Sequence, residues 1–211
     1  SLPQRYFYDR RLFPSAHCEV ELTADRLVGA IHALDSPWHT DYAMPPFTVM
    51  ELSPDGTAPN PNHDGYGALV VRIDGEERVL EGDGAALIRR LDTLLIRHDP
   101  DILLTDWGDS YLLPRLMAMA ERLRLPLPLN RDAQRPVGTR KPHSYFSYGR
   151  VVSHAGARTL SGRLHLDRQN SFALAETGLA GLLEQARVAK VDLQQMARTT
   201  TGTGITSMQL E

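Results

Sequence analysis

The sequence predicts a mixed α/β fold whose sheet opens with antiparallel strands, and three observations carry that reading. Short β-type segments punctuated by turn residues run from Phe47 to Leu80 with no helical periodicity. From Ala86 the apolar spacing switches to three and four residues. A continuous apolar run, Ile102-Leu103-Leu104-Thr105, then separates two helical stretches, as expected of a strand covered on both faces. The chain has 211 residues, 42% hydrophobic and 23% charged, which is enough to bury a core and far from a disordered composition.

Each element follows from local chemistry. The first 46 residues are mixed in character and end in the rigid Met44-Pro45-Pro46. Phe47 to Leu52 reads as a strand, closed by the turn formers Ser53-Pro54-Asp55-Gly56, and 57–65 reads as a loop. Gly67 to Ile73 and Glu77 to Leu80 flank Asp74-Gly75, a hairpin signature. Ala86, Leu87, Leu91, Leu94 and Leu95 mark a helix. It stops at Asp99-Pro100-Asp101, since proline disfavours α geometry in the residue before it. Ser110 to Arg124 is a second helix with Leu112, Leu113, Leu116, Met117, Ala120 and Leu123 on its apolar face, and Pro114 is tolerated in the first turn. Leu125 to Pro142 is a loop rich in proline and basic residues, and Tyr145–Val152 with Thr159–Leu166 reads as another hairpin. Phe172–Val188 and Asp192–Arg198 are helical, and 199–204 has linker chemistry. Three strands, helix, strand, helix, more strands and last helices suit a ribonuclease-H-like plan, a mixed sheet flanked by helices. The expected organisation is an N-terminal segment 1–46, a domain 47–198 and a linker 199–211.

The net charge of −3 is unevenly spread: residues 1–130 hold 12 Lys/Arg against 20 Asp/Glu, a net −8, and 131–211 hold 11 against 6, a net +5. Between Arg131 and Asn170, eight basic side chains face only Asp132 and Asp167. Basic groups neutralise phosphates and rings stack on unpaired bases. Arg135, Arg140, Lys141, Arg150 and Arg163 are therefore candidate phosphate contacts, and Tyr145, Phe146 and Tyr148 candidate stacking platforms. The competing reading is a solvated basic face with its aromatics in the core.

Other chemistries find little support. The only cysteine, Cys18, excludes an internal disulfide and a cysteine-based zinc cluster. No apolar run approaches the roughly 18–20 residues of a membrane span, and the start is not a secretory leader, so the expectation is a cytoplasmic protein without a membrane partner. The eight histidines show no helical metal-ligand spacing. His165-Leu166-Asp167 puts two side chains on one strand face. With Asp55 or Asp109 they form an unusual donor set, against the alternative of a partly exposed strand histidine. There is no phosphate loop, nucleophile elbow or kinase signature, and Gly202-Thr203-Gly204 lacks a third glycine. Ser1 in place of Met suggests a piece of a longer chain.

Four stretches carry a resemblance. DPDILLTDWGDSYLLPRLMAMAERL (99–123) resembles the second exonuclease motif region of family B DNA polymerases. DYAMPPFTVMELSPDG (41–56) is similar to the Pro-Pro and the first-motif strand that follows it in that family. SYFSYGRVVSHAGARTLSGRLHLD (144–167) resembles the family's substrate-side segment, and 178–209 the junction toward its palm domain. The resemblance implies a 3′–5′ exonuclease fold, DNA as partner with replication or repair proteins around it, and 199–211 as a linker toward a polymerase domain.

In that family about four carboxylates hold two divalent cations, magnesium or manganese, and hard cations about 3.5–4 Å apart stabilise attacking and leaving oxygens. Here the pattern departs. Counting from Pro45-Pro46 puts Ser53 at the first Asp and Asp55 at the Glu, and a slip of two gives Glu51 and Ser53. Counting from Asp99-Pro100-Asp101 puts Trp107 at the Asn, Tyr111 at the aromatic and Leu112 at the Asp. Asp106 and Asp109 are displaced candidates, or a solvated cap of the helix at Ser110. Of the third motif only the Phe172 and Glu176 spacing remains. The resemblance therefore implies a degenerate exonuclease-like domain without metal or other cofactor, positioning single-stranded DNA or primer-template. The alternatives are an active metal-dependent exonuclease using Asp55, Asp106 or Asp109 and Glu176, and a non-enzymatic protein-interaction module whose acidic half meets a basic partner.

Overall fold

The structure, a computed structural model, describes residues 2–55, 68–81, 84–147 and 150–199. The chain divides into two compact units, Phe47–Asn170 and Ser1–Pro46 with Ser171–Glu211. The helices after Asn170 thus group with the N-terminal segment rather than with the sheet.

The N-terminal segment holds more regular structure than its composition announces. Helix α1 (Leu2–Arg10) ends where Arg11 turns left-handed at φ 54°. Strands β1 (Cys18–Leu22) and β2 (Val28–Ala33) then pair antiparallel around a turn that contains Arg26 at φ 59°.

In the Phe47–Asn170 unit, β3 (Val49–Asp55), β4 (Ala68–Ile73) and β5 (Glu76–Leu80) form the antiparallel half of a sheet. Asp74 and Gly75, both at positive φ, make the expected β4–β5 turn. Helix α2 (Gly84–His98) leads to β6 (Ile102–Thr105), which pairs parallel to β3 with Glu51 opposite Leu104. Helix α3 (Leu113–Leu123) follows. Strands β7 (Gly138–Arg140), β8 (His143–Ser147), β9 (Arg150–His154) and β10 (Ala157–Thr159) make two small ribbons, β8–β9 and β7–β10. The last strand, β11 (Leu164–Asp167), joins the main sheet parallel to β6. The five-stranded order is β11-β6-β3-β4-β5, the mixed sheet with antiparallel first three strands that the sequence predicts.

One side of this sheet carries the core. Met50, Leu52, Leu69, Val71 and Leu103 project from the strands against Leu87, Ile88, Leu91 and Leu95 of α2 and Leu113 and Leu116 of α3. Strand alternation turns Glu51, Ser53 and Asp55 to the other face.

Three expectations are corrected. Thr159–Leu166 is not the partner of Tyr145–Val152: Tyr145 pairs with Val152 inside the β8–β9 ribbon, and β11 enters the main sheet. The reason is burial, because His165, Leu166 and Asp167 are all covered and a strand closed on both faces belongs inside a sheet. The helix expected from Ser110 begins instead as a π-turn over Gly108–Leu112, entered through Trp107 in the left-handed region at φ 60°. Helix α4 (Phe172–Ala189) is broken at Gly178, where φ 67° and ψ −171° leave helical space. Its N-terminus is capped by Ser171, whose side chain accepts from the Leu174 N–H at 3.2 Å. Helix α5 (Leu193–Ala197) is capped by Asp192.

Within the N-terminal unit the guanidinium of Arg187 on α4 lies between the rings of Phe13 and Tyr42, 4.7 and 3.9 Å from their centroids. It donates to Asp35 at 2.7 Å and to the Ser15 carbonyl at 2.9 Å. Stacking and ion pairing together account for an arginine that is 1% exposed.

Candidate functional site

Strands β3, β6 and β11 run in one direction, so their carboxyl ends lie along the same sheet edge, the usual place for a ligand crevice in an open α/β sheet. At that edge Arg168, directly after β11, reaches across to residues of β6's end and of β3 beyond it. One of its terminal nitrogens lies 2.8 Å from Oε2 of Glu51 on β3, and the other lies 3.5 Å from Oδ2 of Asp106, directly after β6. Asp106 is tied to the sheet by its own N–H, which donates to the Leu52 carbonyl at 3.0 Å.

Behind this pair is a buried polar network. Oδ2 of Asp167 accepts the N–H of Asp109 at 2.8 Å and Oδ1 accepts that of Gln169 at 3.1 Å. Oδ1 of Asp109 accepts the N–H of Arg158 at 2.5 Å and Oδ2 accepts the Asn170 amide at 2.7 Å. His165 Nδ1 is 2.6 Å from the Arg158 carbonyl oxygen, which only accepts, so the proton sits on Nδ1. Its Nε2 meets the Thr105 hydroxyl at 2.9 Å, and Oδ1 of Asp109 is 3.5 Å from Nδ1. Burial pushes the Asp167 carboxyl up to about 6, against the lowering effect of the amide of Asp109. The π-turn holds Asp109 in place. A Cβ on Gly108 would collide with the Thr105 and His165 side chains, so only glycine admits the chain here.

The site residues expected from the sequence are distributed as follows. Ser53 is half-buried and Asp55 exposed at the end of β3. Leu112 is fully buried in the apolar core under the helices. Asp109 is 3% exposed, which corrects the reading of it as a solvated helix cap. His165 is fully buried rather than a partly exposed strand histidine. Glu176 is exposed on α4 in the N-terminal unit.

Among the basic and aromatic candidates, Arg140 and Lys141 are exposed beside the β8–β9 ribbon in the chain, and Arg135 is exposed and paired with Asp132 at 3.3 Å. Tyr145 and Phe146 on β8 are 49% and 74% exposed, so neither belongs to a core. The Tyr145 ring stacks on His143 with centroids 6.4 Å apart. Arg150 opens β9 with its backbone opposite Ser147, and Tyr148 lies outside the described residues. Arg163 is corrected: it is 5% exposed and donates to the carbonyls of Pro100, Pro128 and Leu129 at 2.6–3.0 Å and to Asp99 at 3.0 Å. Arg131 joins it, bonding Asp99 at 2.8 Å and Asp101 at 2.9 Å. The Arg131 guanidinium holds the Asp99 carboxyl below its usual range. The Asp99-Pro100-Asp101 motif thus anchors two arginines of the basic stretch. Sequence reasoning missed Arg168, although a lone arginine directly after an apolar strand was a signal that it stood at a strand end.

The donor set does not fit a pair of divalent cations. Hard cations need carboxylate oxygens open to them. Glu51 and Asp106 already face a guanidinium, and all four carboxylate oxygens of Asp109 and Asp167 accept from N–H groups. Among the described residues, no three His, Cys, Asp or Glu side chains form a metal-holding group.

No family model matches the chain. The DNA polymerase of Pyrococcus glycovorans and DNA polymerase 1 of Pyrococcus abyssi are each 33% identical to it over 81 residues, 38% of this chain and 9% of those proteins. The solved structure of the family B DNA polymerase from Pyrobaculum calidifontis superposes with a TM-score of 0.66 at 18% identity, over 98% of this chain and 34% of that one. The chain therefore spans about a third of the solved polymerase and matches under a tenth of each curated relative. In the fold of nearly its whole length, and in sequence over 81 residues, this chain resembles the DNA polymerases of family B and of archaea.

Proposed function

We propose that this chain is a polymerase-associated, ribonuclease-H-like domain that has kept an exonuclease scaffold without its chemistry, and that it positions single-stranded DNA or primer-template. The single observation that carries the positioning is the β8–β9 ribbon, which exposes Tyr145 and Phe146 beside Arg140 and Lys141. Exposed rings leave their faces open for stacking, and every base has a π-face to offer them. Loss of chemistry is supported by the engaged carboxylates and by Leu112 in the core. A cytoplasmic setting with replication or repair proteins belongs to the same reading. No helix among the described residues is long and apolar enough to cross a membrane.

The test is fluorescence-anisotropy titration of a labelled single strand at several salt concentrations. Affinity should fall steeply with salt, and Arg140→Ala with Lys141→Ala should flatten the log–log slope by about 1.4. Salt-independent binding, or none, contradicts the reading.

A further inference from the structure

We infer that Arg168 acts as a built-in cation, replacing at this sheet edge any divalent ion that Glu51 and Asp106 would otherwise attract. The inference deepens the reading of a scaffold without chemistry and rests on it. Two anionic side chains come from adjacent parallel strands, and a single cationic group, from the residue after the third strand, meets both at 2.8 and 3.5 Å.

Three physical features favour the guanidinium over a free ion. A guanidinium is a permanent cation. Its planar fork carries five donors, so each carboxylate is met by a separate nitrogen. It is attached to the chain one residue beyond β11, so it competes as an intramolecular ligand at an effective concentration in the millimolar range or above. A divalent cation has to displace it and also shed water to reach the same oxygens. The side chains of the three residues are each about a third exposed, so the ion pairs themselves add little stability. Their role is to cancel two like charges.

The experiment is a titration with manganese chloride at constant ionic strength, followed by thermal melting and by isothermal calorimetry, on wild type, Arg168→Gln, Arg168→Lys and Glu51→Gln/Arg168→Gln. Wild type should show no manganese-dependent rise in Tm. Arg168→Gln should melt lower in the absence of manganese, recover as it is added, and bind it about tenfold or more tightly than wild type. Arg168→Lys, which keeps the charge but loses the fork, should fall between wild type and Arg168→Gln, and the double variant should lose the manganese response. If Arg168→Gln does not fold, the double variant, freed of the repulsion, should fold. Equal stabilisation of wild type and Arg168→Gln by manganese overturns the inference. So does an Arg168→Gln protein with no manganese response, or a double variant that also fails to fold. The DNA-positioning reading fails instead on the single-strand titration, so the two failures are told apart.

Discussion

The backbone N–H of Asp109 donates to Oδ2 of Asp167 at 2.8 Å, so a carboxylate at the end of β11 fixes the π-turn that follows β6. Asp167 closes β11, and Asp109 lies in the turn after β6, the strand beside it in the sheet.

This relationship makes stability depend on pH in a defined sense. Asp167 has a folded-state value of about 6 against an ordinary 3.8, so the folded protein holds a proton that the unfolded chain has released. The contribution of Asp167 is therefore most favourable below its unfolded value and is lost as pH rises toward its folded one. Converted at 1.36 kcal/mol per pH unit, the full loss is up to about 3 kcal/mol. Asp167→Asn removes the titration. In urea unfolding, the stability of wild type relative to Asp167→Asn should decline from pH ~4 to pH ~7. A difference that stays constant across that window contradicts the assignment.

Gly108 admits no side chain because Thr105 and His165 occupy the space. Gly108→Ala should destabilise the unit by about 1–3 kcal/mol or more, as overpacking does. Urea unfolding measures this, and an unchanged midpoint would mean that the π-turn is not held against His165.

Arg163 and Arg140 should behave oppositely although both belong to the basic stretch. Arg163→Met takes the donor from three carbonyls and leaves Asp99 to Arg131 alone, and should cost about 1–3 kcal/mol of stability. Arg140→Ala on the surface should alter melting little and weaken single-strand binding. Melting and anisotropy on both variants separate the roles.

Much of the fold was legible because local signals and tertiary demand agree. The Asp74-Gly75 turn, the apolar run of β6 and the helical spacing of α2 each appear where the pattern places them. β11 was misassigned because its pairing is non-local and depends on which strand lies open beside it, information that no short window carries. The site was partly legible. The resemblance alone sets Ser53 and Leu112 at expected carboxylate positions, and that comparison needs no structure. The engagement of Asp106 by Arg168, 62 residues later, could not, because it depends on strand order. Arg163 looked like surface charge for the same reason, since a basic residue reveals its carbonyl partners only after the loops have folded around it.

Tyr145→Ala and Phe146→Ala should each weaken single-strand binding by about 1–3 kcal/mol, the worth of one base–aromatic stack, and leave the salt slope unchanged. Their exposure predicts little effect on melting. A loss of stability comparable to the loss of binding would assign the rings to packing instead.

Incubation of a 5′-labelled single strand with the protein and magnesium or manganese, resolved on a denaturing gel, bears most directly on a scaffold whose carboxylates are already engaged. The strand should remain full length at every metal concentration. Stepwise shortening from the 3′ end that disappears in Asp106→Ala or Asp109→Ala would contradict the account.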